Sequence, residues 1–557
     1  MRVQEIPKST IRNSFLLTLL QGLFFGILAI IRTRGKLQNP GIWVEDSYYL
    51  TEFQEQGWAS LFNSSNDFLN FGTRFLSALI QHFTIVHYPI ASISVAITVT
   101  ISTCMLISRM FGGTKGFLCA CLVILFPADP EVLGLPSYLF WILGVYLLAL
   151  IISDYQLWSQ KAFNGHCALA VFAGLSGPIV LMTVPIMLAR YVLEKRRLIE
   201  VRRTLRLFFL LSFTSVIQAI YRLSTNTPAS EGNSKIREIA LWPIRTVGSY
   251  LVGIRWADLN LLIGIVVTAL LILLILRSRL FDFTTFALAA LFIMATAQSA
   301  LRVDIIAIHP TIAGTRYFFI PHVLLGWLFV HILSNTTRLL RLPLSFLLVA
   351  VVAFDSYSAI NRPTDPIHWG SYISTCKTIP NLSAPIFFDG SRHNTWTLVL
   401  TPEMCRNRLL DPLFERSEKE LAFDYRNANR RDFRDLACTS SVNFQDNFNG
   451  TDYWNSDLRG VSILGSSGIA DPISSHTLEL RLKRGDSVLF SWGTGVGQKI
   501  TISDPVQEDL LLHLPPTQDW KMLTFNHPEL PDEFEITVTD SSNEWGSWSA
   551  VGLKEMC

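Results

Sequence analysis

At 557 residues, 50% of them hydrophobic and 16% charged, with a mean hydropathy of +0.35, the chain is too apolar for a soluble enzyme and too long for a single domain. The formal net charge of +2 excludes little as a total, because it is the placement of charges that orients a membrane chain. Walker, Rossmann, GxSxG, HExxH and CxxC signatures are absent, which argues against a nucleotide-driven pump or a soluble-type hydrolase.

In chain order, the first apolar run covers 14–31. Arg2, Lys8 and Arg12 precede it, which places the N-terminus in the cytoplasm, and no small-residue cleavage site follows, so the run reads as a retained helix. Residues 32–89 then form an outer loop. It opens with Arg32, Arg34 and Lys36, basic residues on the unexpected side that are suited to meet anionic head groups or a lipid phosphate. It also sets Glu45 beside Asp46. Carboxylates so close to hydrocarbon are costly unless something uses them, although two solvated loop acids are the plain alternative.

The run 71–87 is interrupted by Arg74, Gln81 and His82, and fits an amphipathic helix on the outer leaflet at least as well as a span. Spans follow at 90–108, 116–126 and 138–153, with the acidic turn 126–137 facing out. Next, 166–193 contains LSGP at 175–178 and leads into the basic segment 194–206, the strongest cytoplasmic marker of the chain. Parity then leaves two topologies. In one, 71–87 lies on the surface and the Gly-Pro break tips a pair of short helices; in the other, 71–87 spans, 166–193 is one long helix and 126–137 lies inside.

Further spans are expected at 207–223, 259–276, 284–301, 318–332 and 342–360, and the outer loop 224–257 carries a short apolar helix with Lys235, Arg237, Arg245 and Arg255. The total is about 11 spans, with the C-terminus outside in either topology.

From residue 361 the composition becomes that of a soluble region. Residues 361–437 combine a helix near His368–Cys376 with strand-like runs at 384–388 and 395–400. Residues 438–557 alternate short apolar runs with Gly, Pro, Asp and Asn turns, the signature of an antiparallel, jelly-roll-like β-sandwich. Cys376, Cys405, Cys438 and Cys557 all fall in this outer region, and four cysteines in an oxidising compartment point to two disulfides. Of the three connectivities, Cys376 with Cys405 and Cys438 with Cys557 is favoured.

Three further groups could carry chemistry. Asp129 and Glu131 are a second acidic pair at a span end; they could orient an acceptor or ligate a divalent cation, and turn acids are an equal reading, since no spacing nominates a metal site. Arg302, His309, Arg316 and Tyr317 crowd one short outer loop, where arginine forks match phosphate oxygens; interfacial anchoring is the bland alternative. Trp43, Tyr48, Tyr49, Trp58, Trp141, Trp242 and Trp256 lie near outer interfaces, where an aromatic belt accounts for most of them and sugar stacking for one or two.

The ED pair after the first span, FGTRFLSAL with Arg74, the acidic EVLG turn leading into a Trp-containing span, the LSGP break before a basic inner loop, and the late GTRYFF together resemble the GT-C superfamily. These are polyprenyl-phosphate-sugar-dependent integral membrane glycosyltransferases, and the bacterial members acting on surface polysaccharide look closest. The resemblance covers residues 1–360 and leaves the sandwich outside the shared core.

It implies transfer of a hexose or pentose by inverting single displacement to a glycan or lipid-linked acceptor, at the outer face of a bacterial inner membrane. One carboxylate, Asp46 or Glu45, would be the base, because a phosphate leaves without a second acid. Arg316, Tyr317, Arg302 and His309 would hold the lipid phosphate, and Asp129, Glu131 and Arg74 would support the site or the acceptor. By analogy with members that append carbohydrate-binding modules, the sandwich would hold the acceptor glycan. A polysaccharide or lipid transporter, or an O-antigen ligase or polymerase, is the competing reading; transporters keep ionisable residues near the midplane, whereas here the charges cluster at the rim.

Overall fold

The structure, a computed structural model, describes residues 8–65, 67–125, 132–197, 201–224, 236–252, 257–302 and 316–336, and beyond these a series of shorter segments within 341–554. The chain divides into two compact units. One comprises 1–38, 55–79 and 90–364, and the other 39–54, 80–89 and 365–557.

Helices dominate the first unit and its borders: α1 (Lys8–Arg32), α2 (Arg34–Gln38), α3 (Val44–Gln56), α4 (Phe71–Phe83), α5 (Tyr88–Phe111), α6 (Gly113–Leu125), α7 (Leu139–Ile152), α8 (Gln160–Gly174), α9 (Val180–Arg196), α10 (Arg202–Ser224), α11 (Ile236–Val252), α12 (Ala257–Arg277), α13 (Phe283–Arg302) and α14 (Arg316–Asn335). A two-residue hairpin, β1 (Ser64–Ser65) with β2 (Phe68–Leu69), precedes α4. Among the described residues five helices, α5, α10, α12, α13 and α14, are long and apolar enough to cross a membrane, and 16–32, 113–125 and 136–152 are shorter apolar helices.

Large apolar side chains stand exposed along α1, α10 and α12, among them Leu17, Leu23, Phe209, Phe213, Leu262 and Val266. Contiguous surface of that kind is unfavourable in water and natural against lipid. By contrast α7 and α14 are buried along nearly their whole lengths and form the centre of the helical core. There the Trp327 indole donates to the Cys119 carbonyl at 2.8 Å, so the one polar atom of a large central ring is satisfied.

The LSGP segment is a true break, with α8 ending at Gly174 and α9 beginning at Val180. A break in a membrane helix needs its freed backbone groups paired. Here the partner is the corner before α4: Phe71 N donates to Leu175 O at 3.2 Å and Gly72 N to Ser176 Oγ at 3.0 Å. The Gln218 amide donates to Gly174 O at 3.0 Å and Leu69 O at 2.9 Å, and accepts from Leu69 N at 3.0 Å. Gly72 has no room for a side chain, because a Cβ would stand 2.3 Å from Ser176 Oγ.

Helix α4, with 13 residues, rises about 20 Å, short of the roughly 30 Å hydrocarbon layer. Its polar residues Thr73, Arg74, Ser77 and Gln81 are buried while Phe71, Phe75, Leu76 and Leu79 are part-exposed. The rise is short for the spanning helix of the second topology, whereas a polar face turned into the protein suits either.

At the end of the bundle carrying the basic segment, Arg190 pairs with Glu194 at 2.8 Å and donates to Ile151 O and Ser153 O at 2.9 and 2.7 Å. Arg203 gathers the carbonyls of Tyr155, Gln156 and Trp158. Two arginines thus gather open carbonyls from the end of α7 and the connection to α8. Burial pushes the Tyr155 phenol up to about 12 against the opposing Arg190 charge, so it stays protonated and donates to Thr204 at 3.0 Å.

Helices α11 and α12 meet backbone to backbone. A Cβ on Gly248 would stand 1.9 Å from Asn260 O, and one on Gly264 2.0 Å from Ile244 O. Gly248→Ala is expected to lower stability by about 1–3 kcal/mol, read as a fall in melting temperature in detergent. Gly165→Ala, which meets nothing within 4 Å, is the control and should leave it in place.

In the second unit, β3 (Leu382–Phe387) and β4 (Arg392–Leu400) pair antiparallel, as the strand-like runs predict. Among the described positions of 361–381, Trp369, Ile373 and Cys376 are helical and buried, at the spacing of one helix face. Cys376 and Cys405 form the expected disulfide; Cys438 and Cys557 lie outside the described residues. Cys104, Cys119, Cys121 and Cys167 are buried and free.

Ten strands build two antiparallel sheets. They are β5 (Asp424–Asn427), β6 (Asn443–Gln445), β7 (Val461–Gly465), β8 (His476–Lys483), β9 (Ser487–Trp492), β10 (Gln498–Ser503), β11 (Leu510–Leu512), β12 (Thr517–Thr524), β13 (Glu533–Asp540) and β14 (Ser549–Lys554). One sheet has the order β11-β10-β13-β8-β6 and the other β5-β12-β9-β14-β7. Alternation selects their buried faces: Leu478, Leu480 and Leu482 are buried opposite Val538, Ile536 and Phe534. Gly485, in the turn from β8 to β9, takes a φ of 96° that side chains rarely adopt. β5, which precedes residue 438, pairs with β12, so the sheet includes residues ahead of the boundary expected at 438.

Candidate functional site

The stretch expected to be an outer loop is largely helical. Glu45 and Asp46 occupy the first turn of α3, where the unpaired N–H groups of a helix favour carboxylates. That placement is sufficient for two structural acids, yet the two differ. Both have partners, but Asp46 is 1% exposed whereas Glu45 is half-buried. Carboxylates are buried this deeply only when held by partners.

The start of α3 is anchored by its neighbours in the same unit. Gly41, Ile42 and Trp43 run beside β3, with Phe387 N donating to Ile42 O at 2.8 Å and a parallel bridge between Trp43 and Phe387. The Phe387 ring fills the space a Cβ at Gly41 would need, at 2.2 Å. Farther along, the Gln81 amide donates to Leu50 O at 3.2 Å, one turn beyond Asp46.

A second knot braces the segment after α4. Asp411, fully buried, accepts from Thr84 Oγ1 at 2.5 Å, Ile85 N at 3.2 Å, Val86 N at 3.3 Å and Arg408 N at 2.7 Å. Trp369 Nε1 donates to Ile85 O at 2.8 Å, and Leu410 N to Phe83 O at 2.9 Å. Nothing in the sequence around Asp411 marks it, since its partners lie more than three hundred residues away.

In the helical unit, Arg316 is the first residue of α14. Its Nη1 donates to the Tyr138 phenol oxygen at 2.7 Å, and its Cζ stands 5.3 Å from the Tyr138 ring centre and 5.5 Å from that of Tyr317. Tyr138, 4% exposed, closes the short turn Pro136–Tyr138 just before α7. Trp141 meets Tyr317 edge-on with ring centres 6.4 Å apart. A guanidinium beside two phenol rings keeps its charge while the rings add a cation–π attraction. The pattern AGTRY pointed to Arg316 and Tyr317; Tyr138 was missed, as an aromatic near an interface reads as a belt residue.

Arg74 is 3% exposed and donates to Ser60 O and Ser64 O, both at 3.2 Å, bracing the turns ahead of α4. The lipid-facing role expected for 32–36 is corrected: Arg32 and Lys36 are buried, Lys36 Nζ donates to Leu133 O at 2.6 Å, and Arg34 is exposed. The reason is that α1 continues into α2 with only a short break, which turns Lys36 onto the 132–135 turn. There Gly134 has a φ of 76° and lies against Thr33.

Asp129, Glu131 and His309 lie outside the described residues, as does the side chain of Arg302 at the end of α13. Arg245 lies in α11, and Lys235 and Arg255 are outside the described residues. Among the described residues no group of three or more His, Cys, Asp or Glu side chains could hold a metal ion.

Lipid-type surfaces over a buried helical core, followed by two five-stranded antiparallel sheets, define a polytopic helical membrane protein with an appended β-rich region. No protein-family model matches the sequence, and no curated protein matches it. Among solved structures the chain is similar to the arabinosyltransferase EmbB from Mycobacterium smegmatis, at 14% identity and a TM-score of 0.29, over 100% of this chain and 66% of that one. The chain therefore spans just under two thirds of that protein's length, and a score of this size does not define a shared fold.

Proposed function

We propose that the protein is an integral membrane glycosyltransferase of GT-C type. It moves a sugar from a polyprenyl-phosphate donor to a glycan or lipid-linked acceptor outside the cytoplasm, with inversion. The observation that carries this reading is the buried, partnered carboxylate of Asp46 at the start of α3, in a chain whose helices are built for lipid. A compartment without nucleotide sugars leaves a lipid-carried donor as the sensible substrate.

In this reading the acceptor hydroxyl oxygen attacks the anomeric carbon as the bond from that carbon to the phosphate oxygen breaks. Asp46 takes the hydroxyl proton, with Glu45 the alternate, and polyprenyl phosphate departs with its charge met by Arg316. Tyr317, Arg302 and His309 complete the phosphate site; Asp129, Glu131 and Arg74 support it or the acceptor. The two five-stranded sheets close face to face as a sandwich outside the membrane and hold the acceptor glycan. The contact between Phe525, just after β12 of one sheet, and Phe534, in β13 of the other, with ring centres 5.4 Å apart, supports that closure.

The test is transfer in proteoliposomes containing a polyprenyl-phosphate hexose or pentose labelled in the sugar. The expected product is a single labelled sugar on the acceptor with inverted anomeric configuration. Label that crosses the bilayer with its phosphate bond intact would identify a transporter, and movement of whole chains would identify a ligase or polymerase.

A further inference from the structure

Arg316 stands at the entrance of α14, a helix whose next sixteen or so positions are almost all buried and apolar. A flexible cation there needs something that fixes it. Tyr138 supplies this, because its phenol oxygen accepts from Nη1 at 2.7 Å while its ring lies 5.3 Å from the guanidinium carbon. The phenol is itself immobile: it is 4% exposed, its backbone N–H donates to Leu135 O at 3.3 Å, and Pro136 stiffens the turn. Phe140 extends the aromatic wall, with ring centres 6.4 Å from Tyr138 and 4.9 Å from Trp141, and Trp141 in turn meets Tyr317. The turn before α7 and the first turn of α14 therefore lock one guanidinium from two directions.

We propose that Tyr138 is the positioning residue that aims the Arg316 fork at the phosphate of the lipid donor, so that the site selects a phosphate over a neutral prenyl head. The proposal rests on the donor reading given above. A fork fixed in orientation gains a paired contact with phosphate oxygens that a wandering point charge does not. Tyr138 acts through Arg316 and needs no contact of its own with the donor. Removing the hydroxyl leaves the ring and the charge in place and takes away the hydrogen bond that orients Nη1.

The probe is farnesyl phosphate, with farnesol as the neutral control, titrated into the purified full chain in detergent and followed by intrinsic fluorescence. Wild type is expected to bind farnesyl phosphate more tightly than farnesol. Tyr138→Phe should weaken farnesyl phosphate by about tenfold, the loss of one hydrogen bond to a charged group, and leave farnesol unchanged. Arg316→Gln should weaken it at least as much, and the double variant no further than Arg316→Gln alone, because the proposed effect of Tyr138 on the donor passes through that cation. Should Tyr138→Phe lower the melting temperature, Arg316→Lys carries the same test: it keeps Tyr138 and the charge, loses the fork, and should give a similar loss.

Tyr138→Phe binding farnesyl phosphate as wild type does, or losses that add in the double variant, would overturn the positioning role and leave the donor reading standing. A wild type that does not distinguish farnesyl phosphate from farnesol would overturn the donor reading, and the positioning role with it.

Discussion

Asp46→Asn is expected to lower sugar transfer by about two to four orders of magnitude, the range for a positioned general base, with affinity for the lipid donor nearly unchanged. The amide keeps the size and most of the hydrogen-bonding capacity of the carboxylate, so what is lost is the ability to take the acceptor proton. The variant should fold. Asparagine keeps the size of the buried side chain and an acceptor oxygen for its partners, and the contacts from Phe387 N to Ile42 O and from the Gln81 amide to Leu50 O stay in place.

Single-turnover transfer and donor binding, measured on the same preparation, separate this outcome from simple misfolding. Full activity in Asp46→Asn would remove Asp46 as the base, and full activity in Glu45→Gln as well would end the role of the α3 carboxylates. Glu45→Gln is expected to be the milder variant, since Glu45 is half-buried whereas Asp46 is 1% exposed.

Asp411→Ala is expected to destabilise the second unit by about 3–5 kcal/mol, because several buried donors lose their acceptor at once. Those donors are the Thr84 hydroxyl and the backbone N–H groups of Ile85, Val86 and Arg408. Their contributions do not add in full, since all four share one carboxylate. Asp411→Asn, which keeps an acceptor oxygen, should cost less, and Thr84→Val less again.

The readout is thermal unfolding of the full chain together with the reducibility of the Cys376–Cys405 disulfide. The disulfide joins residues 29 apart in the same unit, and a closed loop of that size contributes about 3–4 kcal/mol. An Asp411→Ala protein that melts as wild type and resists reduction equally would show that the knot is dispensable.

The chemistry in these predictions was unevenly legible in the sequence. The helix starts and stops follow from apolar runs bounded by Arg, Lys, Gly and Pro, and so does the break at LSGP, where Pro178 cannot continue a helix. The strands of the C-terminal region follow from two-residue alternation between Gly and Asp turns. Arg316 and Tyr317 were reachable because a cation at the entrance of an apolar helix is costly and therefore conspicuous.

Other features left no local signal. Trp43, at the foot of α3, pairs with a strand residue more than three hundred positions away, and Asp411 binds a turn at a similar distance. Lys36 reads as an interfacial charge until Leu133 O is seen to accept from it. Tyr138 reads as one more aromatic near a boundary until the guanidinium of Arg316 is seen against it.

The sequence by itself determined a membrane chain with several apolar helices and a β-rich C-terminal region. These rest on hydropathy, periodicity and charge, which act over a few residues at a time. Only the tertiary structure decided that Asp46 is buried while Glu45 beside it is half-buried, that Lys36 and Arg32 turn inward, and that Tyr138 holds Arg316. Each of these depends on which distant backbone oxygen or aromatic ring comes within about 3–6 Å of a side chain, and the fold sets that, not local composition.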